Sequence, residues 1–463
     1  MQMILNGEAH VQDLPPALFR QITEELTVTN PAWQSAARLG RPTFGIPKTL
    51  RLYELRQNEL ILPRGMAVGL WKRRPAGSVC KDETLTLPPV TFDKNTIALR
   101  DYQQKALDAV LQSRLPQGVI LAPCGSGKTE LGLALAAQIG QPTLWITHTK
   151  DLAQQTLERA RSRLGLDDEQ LGLIGAGVCR PGSHLTVAMV QTLYRTELAD
   201  LGRRFGLVLV DECHRVVNNP ETASMFCRVL ACLPAHYRYG LTASEQRADG
   251  LAQTIYQVLG DPICRIEQQA LETAGSLVHP TVQPVPTAFV YQPAPGEERI
   301  DYSRFLKQLA ADEERMKLAA SLAAGQLARG RALLVLGQSL AMLAQLAGML
   351  LQAGYDARCI HGGTRKAVRS ETIRAMRDGR ASCLLATYQL AKEGLDIPRL
   401  DTLLLLTPVR DPVTVQQSVG RIMRPAPGKR DALVLDLVDD RVPACRGQFS
   451  ARKRVYKRLD AEI

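Results

Sequence analysis

Ala122-Pro-Cys-Gly-Ser-Gly-Lys-Thr129 follows the short apolar run Val119–Ala122 and leads into the helix-like segment Thr129–Ile139. Strand, glycine-rich turn and helix in that order are the context a phosphate-binding loop needs. Gly125 and Gly127 let the backbone of Pro123, Cys124, Gly125, Ser126 and Gly127 come close to a phosphate and turn amide N–H groups toward it. Lys128 is placed to reach the β- and γ-phosphates, and the Thr129 hydroxyl to hold Mg²⁺. Ala122 stands where the general pattern has its first glycine. The stretch predicts a nucleoside triphosphatase that uses Mg²⁺.

Asp211-Glu-Cys-His214 comes directly after a second apolar run, Leu207–Val210. A carboxylate at the end of a strand in the same sheet can hold Mg²⁺, the part expected of Asp211. Glu212, one residue on, can orient and deprotonate the attacking water. Further on, Gln417-Ser-Val-Gly-Arg421-Ile-Met-Arg424 carries two arginines three apart, on one helical face. Such a pair can neutralise charge on a transferring phosphoryl group, an effect of about 10³–10⁵ in rate elsewhere. Leu241-Thr-Ala-Ser244 and Gly394-Leu-Asp-Ile-Pro398 each follow a strand-like run, the latter bringing Asp396 to a loop.

Around these motifs, strands alternate with helices. Leu144–Thr147 and Leu185–Val190 are strand-like in the first stretch. In the second, Ala332–Gly337, Ala357–Ile360, Ser382–Ala386, Thr402–Leu406 and Ala432–Leu435 alternate with helix-like Gln338–Ala353, Arg365–Arg377 and Pro412–Ile422. This rhythm predicts parallel, doubly wound sheets. It restarts after the proline-rich stretch His279–Pro295. The expected organisation is an N-terminal module over 1–95, α/β domains over 96–272 and 273–445, and a basic tail over 446–463.

The whole chain is 463 residues, 45% hydrophobic and 22% charged, enough for large cores and too apolar for general disorder. Its net charge of +11 favours a polyanionic partner. Much of that excess lies between Arg38 and Lys81, where ten basic residues face two acidic ones, with Phe44, Tyr53 and Trp71 interleaved. Arg441–Arg458 adds seven basic residues and no acidic one, a solvated helix face or a nucleic-acid contact. No apolar run approaches the roughly 20 residues of a membrane span. The start has no secretory pattern, and the ten cysteines form no CxxC pair. Reduced thiols in a cytoplasmic protein, with no structural zinc and no membrane, are expected.

From Leu99 to Pro425 the chain resembles the superfamily-two helicases. Leu99-Arg-Asp-Tyr-Gln103 resembles their adenine-reading motif, which implies Gln103 as a base contact. Thr147–Gln155 and Thr186–Leu193 resemble the strand-gripping motifs of a first RecA-like lobe; His361-Gly-Gly363, Ala386-Thr387 and Gly394–Pro398 resemble those of a second. The resemblance implies Thr149, Thr192, Arg247, His361 and Thr387 as nucleic-acid contacts, and Asp396 and Gln417 as further nucleotide contacts. It also implies 3′→5′ movement, with a monomer as the default. The DExH form and Leu241-Thr-Ala-Ser-Glu-Gln-Arg247-Ala-Asp249 are similar to the XPB group, whose Arg-Glu-Asp motif here has Ala248 at its centre. Asn30–Gly65 is similar to the leading domain of bacteriophage recombination helicases of the UvsW kind.

The expected fold is therefore α/β: two tandem RecA-like parallel-sheet domains behind a small basic β-rich domain. Lys128, Glu212, Arg421 and Arg424 are the expected catalytic residues of an ATP-dependent helicase or translocase acting on branched DNA. An RNA helicase and the motor of a restriction or nuclease system are the alternatives. A non-catalytic scaffold requires a lost lysine, glutamate or arginine, and all are present.

Overall fold

A computed structural model describes the chain except residues 39, 41, 94–96, 124, 217–224, 244–250, 276, 298–299, 393–394 and 396. Cys124, Arg247 and Asp396 among the expected site residues thus lie outside the described residues. Two compact units make up the chain, Met1–Glu267 and Gln268–Ile463.

In the first unit, runs such as Leu207–Asp211 and Thr143–Thr147 are buried along their whole length. A strand apolar on both sides needs cover on both faces, which a parallel sheet between helices supplies. The strands run in space as Val178–Arg180, Leu171–Gly175, Leu185–Met189, Thr143–Thr147, Leu207–Asp211, Tyr237–Thr242, Gln117–Leu121 and Pro262–Arg265. All pair in parallel except Val178–Arg180 with Leu171–Gly175. The strand that feeds the glycine-rich loop and the one that ends in Asp211 flank Tyr237–Thr242 in this sheet.

Residues 1–82 contain a separate antiparallel-rich sheet, in the order Glu54–Arg56, Glu59–Pro63, Glu8–Gln12, Gln2–Leu5, Val79–Asp82. Its own core includes Met3, Val11, Ile22, Leu26, Leu50, Leu60 and Leu62. Three helices accompany the strands, Pro16–Glu25, Pro31–Arg38 and Ala67–Lys72, so the β-rich expectation describes the sheet and omits them.

This module is joined to the first α/β sheet by two buried arginines. Arg64 donates to the backbone carbonyls of Ala235 (2.6 Å) and His236 (2.5 Å). Arg238 donates to Gly7 (3.2 Å), Leu230 (2.9 Å) and Leu233 (2.8 Å). Each is 1% exposed. Gln117 returns a bond to the Arg64 carbonyl at 3.1 Å. Gly65 lies so close to the far side that a Cβ there would sit 2.3 Å from the Tyr256 carbonyl oxygen, so only glycine fits.

The second unit has its own parallel sheet, in the order Pro280–Pro286, Ala432–Val438, Thr402–Leu405, Leu333–Gly337, Cys383–Thr387, Ala357–Ile360. Two buried ion pairs tie helices to it. Arg315 grips Asp439 at 2.7 Å, and Arg452 grips Asp436 at 2.8 Å. Tyr456 donates to the same Asp436 carboxylate at 2.7 Å. The expected basic tail is thus the helix Pro443–Arg458, with Arg452, Val455 and Tyr456 in the interior. One of its six cations, Arg452, is buried in an ion pair, so the stretch is not uniformly a solvated or nucleic-acid-facing surface.

Candidate nucleotide and nucleic-acid site

Gly127 has φ +76° and caps the helix Lys128–Ile139 from the left-handed region. A Cβ at that position would lie 2.4 Å from Gln103 Nε2. The left-handed conformation is what requires glycine, since the Gln103 side-chain end could shift to admit a Cβ. Gln103 is buried, donating to the carbonyls of Ser126 (2.8 Å) and Gly127 (3.3 Å) and accepting from the Arg100 amide at 2.9 Å. The structure therefore places it against the loop backbone, bracing the turn.

Lys128 Nζ lies 3.6 Å from Glu212 Oε1, and His214 Nδ1 lies 3.2 Å from Glu212 Oε2. The same His214 nitrogen is 3.1 Å from Thr242 Oγ1. Burial pushes the Glu212 carboxyl up, but the Lys128 ammonium and the His214 bond outweigh it and hold Glu212 well below the usual carboxylate range. Burial, then the Glu212 charge, pushes Asp211 the other way. Two adjacent carboxyls are thus driven apart, Glu212 ionised and Asp211 poorly compensated. Glu212 has φ +50°, a left-handed conformation that costs about 1–2 kcal/mol outside glycine. Strain of this kind tends to collect at functional sites.

These residues fit a nucleotide with its cation. Ser126 Oγ is buried without a hydrogen-bond partner, at the turn that precedes the helix Lys128–Ile139. A divalent cation beside Asp211 and Thr129 would supply the positive charge that buried Asp211 lacks. Lys128 and Glu212 stand within ion-pair distance of each other.

Thr149 and Thr192 follow the adjacent parallel strands Thr143–Thr147 and Leu185–Met189. Thr149 Oγ1 caps its helix by accepting from the Leu152 amide at 3.2 Å. Gln191 Nε2 donates to the His148 carbonyl at 2.8 Å, tying the two segments together. Sequence reading missed Gln191, although it stands beside Thr192 in the Thr186–Leu193 motif. It also missed His148, whose two ring nitrogens are buried without hydrogen bonds. Burial, then the Arg215 guanidinium, pushes His148 down to about 4. The loop, Asp211, Thr149 and Thr192 all sit at the carboxyl ends of one sheet's strands, where open α/β sheets place their ligands.

In the second unit, His361 and Thr387 likewise end adjacent strands. His361 Nδ1 accepts from the Gly363 amide at 3.2 Å, and Thr387 Oγ1 from the Leu390 amide at 3.4 Å. Arg421 is engaged by backbone: it donates to Ala391 (3.0 and 3.2 Å) and Leu395 (3.1 Å). Arg424 is half-buried one turn on, and Gln417 Oε1 is buried without a hydrogen-bond partner.

Residues 96–247 match the family described as the type III restriction enzyme res subunit, and residues 314–426 match the helicase conserved C-terminal domain. The chain belongs to the superfamily-two helicases. It is 25% identical over 391 residues to L396 of Acanthamoeba polyphaga mimivirus, whose name describes an ATP-dependent RNA helicase; 81% of this chain and 70% of that protein are covered. To helicase D10 of Escherichia phage T5 it is 25% identical over 372 residues, 80% of this chain and 78% of that one. To XPB of Kineococcus radiotolerans, named a DNA 3′-5′ helicase, it is 27% identical over 387 residues, 79% and 65%. Among solved structures, Saccharomyces cerevisiae Dbp5 bound to RNA and ADP BeF₃ covers 79% of this helicase and 89% of its own chain, with a TM-score of 0.55 and 17% identity. That likeness concerns the fold. This is an ATP-dependent helicase with two RecA-like sheets, and no helix among the described residues is long and apolar enough to cross a membrane.

Proposed function

We propose that this helicase is a monomeric DNA translocase that moves 3′→5′ and remodels forked or junction DNA by branch migration. The observation that carries the reading is the basic N-terminal module fixed to the ATP-binding sheet through Arg64 and Arg238. A single-strand motor needs only its two RecA-like sheets. A second, cationic surface that moves with the first of them gives a handle on a duplex arm while the motor pulls one strand.

In this reading the loop 122–129 holds ATP, with Gln103 bracing the turn and contacting the base. Thr129 and Asp211 would hold Mg²⁺, which would neutralise phosphate charge. Glu212 takes the proton of the attacking water, Lys128 reaches the β- and γ-phosphates, and Arg424, with Arg421, Asp396 and Gln417, completes the nucleotide contacts. Thr149, Thr192, Arg247, His361 and Thr387 hold the strand mainly through phosphate, which carries no base identity.

The name of the mimiviral relative favours a second reading, an RNA helicase with the same motor. ATPase stimulation by single-stranded DNA, duplex, fork, Holliday junction and RNA separates the two. The proposal expects forks and junctions to stimulate most. Stimulation by RNA alone, or equal stimulation by single strands and forks, overturns it.

A further inference from the structure

Phe44 is 101% exposed, the most exposed of the large apolar side chains among the described residues. The other interleaved aromatics behave differently: Tyr53 and Trp71 pack against the module's core. Phe44 contributes nothing to that core, so its display is not explained by folding. A fully exposed phenylalanine keeps its whole apolar surface in water, which invites aggregation and gives the fold no stability in return.

The backbone around it is arranged to present it. Thr27–Thr29 pairs antiparallel with Thr49–Arg51, and the chain between them leaves and returns as one closed excursion. Asn30, 4% exposed, closes its base: its amide donates to the Lys48 carbonyl at 2.9 Å, and its Oδ1 accepts from the Ala32 amide at 2.9 Å. At the tip, Thr43-Phe44-Gly45-Ile46 forms a turn in which the Ile46 amide donates to the Thr43 carbonyl at 3.1 Å. Gly45, at φ +76°, supplies the positive φ that a type II turn needs at its third position. Phe44 occupies the second position, where the side chain points away from the chain.

The surroundings fit a polyanion. Residues 26–53 contain Arg38, Arg41, Lys48 and Arg51 and no Asp or Glu. Arg38, Lys48 and Arg51 are exposed. Lys48 Nζ also stands 5.4 Å from the centre of the Trp33 ring, which holds the cation beside the turn. An exposed aromatic face on a cationic, carboxylate-free loop is the combination used to stack a nucleobase while phosphates are neutralised alongside. In continuous duplex no base face is available to it; at a branch point one is.

We infer that Phe44 is a base-stacking element that engages the unpaired or terminal base at a DNA branch point. The inference rests on the branched-DNA reading above and names the residue that reads the structure.

The test uses the full-length protein with Phe44→Ala and Phe44→Trp, on forks carrying 2-aminopurine at the junction and on matched single strands. Wild type and Phe44→Trp should quench or shift the 2-aminopurine emission on binding. Phe44→Ala should abolish that change and lower the fork-to-single-strand affinity ratio by about 5- to 150-fold, the range expected when one base stack is removed. Its unfolding midpoint should match wild type, since the side chain packs against nothing. An unchanged ratio and emission change in Phe44→Ala overturn the inference. Equal weakening on single strand, duplex and fork also overturns it, because the residue is then not a branch reader. If wild type itself shows no fork preference, the branch-remodelling reading fails, an outcome read without either variant.

Discussion

Arg64 donates to the backbone carbonyl of Ala235 at 2.6 Å across 171 residues of chain. Burial pushes its pKa down to about 10, with the Asp82 carboxylate pulling the other way. It nonetheless remains charged at neutral pH and serves three carbonyls, Asn6, Ala235 and His236. Arg64→Ala leaves the inner carbonyls without donors and opens a cavity. We expect a loss of about 2–4 kcal/mol in unfolding free energy, read by urea denaturation. A variant as stable as wild type contradicts the docking role.

The same bonds make removal of residues 1–95 a destructive change. Without the module, Arg238 loses its bond to Gly7 and Leu251 loses the cluster it packs in. The truncated protein should aggregate or melt early, so branch preference is better probed by point substitution. A soluble truncation with wild-type melting behaviour counts against this.

Lys128→Ala should abolish ATP hydrolysis while leaving affinity for DNA nearly intact. Lys128 faces Glu212 and the phosphate-binding turn, away from Thr149 and Thr192 in role. Retained DNA-stimulated hydrolysis overturns the loop's assignment.

Arg421 and Arg424 should separate experimentally. Arg424→Ala is expected to keep nucleotide binding and lose at least ~10²-fold in turnover. Arg421→Ala also removes bonds to Ala391 and Leu395, so it should lower the melting temperature as well as turnover. An Arg421→Ala protein that melts with wild type contradicts the structural part of its role.

His148 provides a pH signature. Its pKa falls from an ordinary 6.5 to about 4 in the folded protein, so the unfolded chain binds more protons between those values. Stability from this residue is complete above about pH 6.5 and is lost as pH falls toward 4. His148→Gln should flatten the stability profile in that window. A profile parallel to wild type excludes the effect.

Charge reversal on the outer face of the helix Pro443–Arg458 tests whether that face meets DNA. Lys453 and Arg454 are exposed, whereas Arg452 holds Asp436. If the outer face touches phosphate, Lys453→Glu with Arg454→Glu should flatten the slope of log affinity against log salt. The expected change is about 0.7–0.9 for each phosphate no longer neutralised. An unchanged slope assigns this face to solvent.

The strands and helices of both α/β sheets were legible because their residues alternate in long apolar runs with a clear period. Leu207–Val210 and Thr402–Leu406 are examples that recur within a residue or two. The phosphate loop was legible because its glycines and Lys128 obey a spacing set by the ligand. The helix Pro16–Glu25 was not, since paired prolines and a mostly polar composition hide its one buried residue, Ile22. Charge counting also misled at particular places. Arg64 and Arg452 add to basic clusters in the sequence, yet each is buried. Arg73 sits 2.8 Å from Glu25, and Arg56 2.8 Å from Glu54. A one-dimensional count cannot tell a cation that meets solvent from one that meets a carbonyl.

Arg238 lies on the strand Tyr237–Thr242, between the strand that ends in Asp211 and the strand that feeds the phosphate loop. If the N-terminal sheet holds a duplex arm, as proposed, tension on that arm enters the first sheet through this central strand, by way of Gly7 and Arg238. Among the described residues that load path runs through no slack linker: the anchor and the two halves of the hydrolytic site share one hydrogen-bonded ladder. Under that proposal, resistance from the arm would reach the strands leading to the phosphate loop and to Glu212 together.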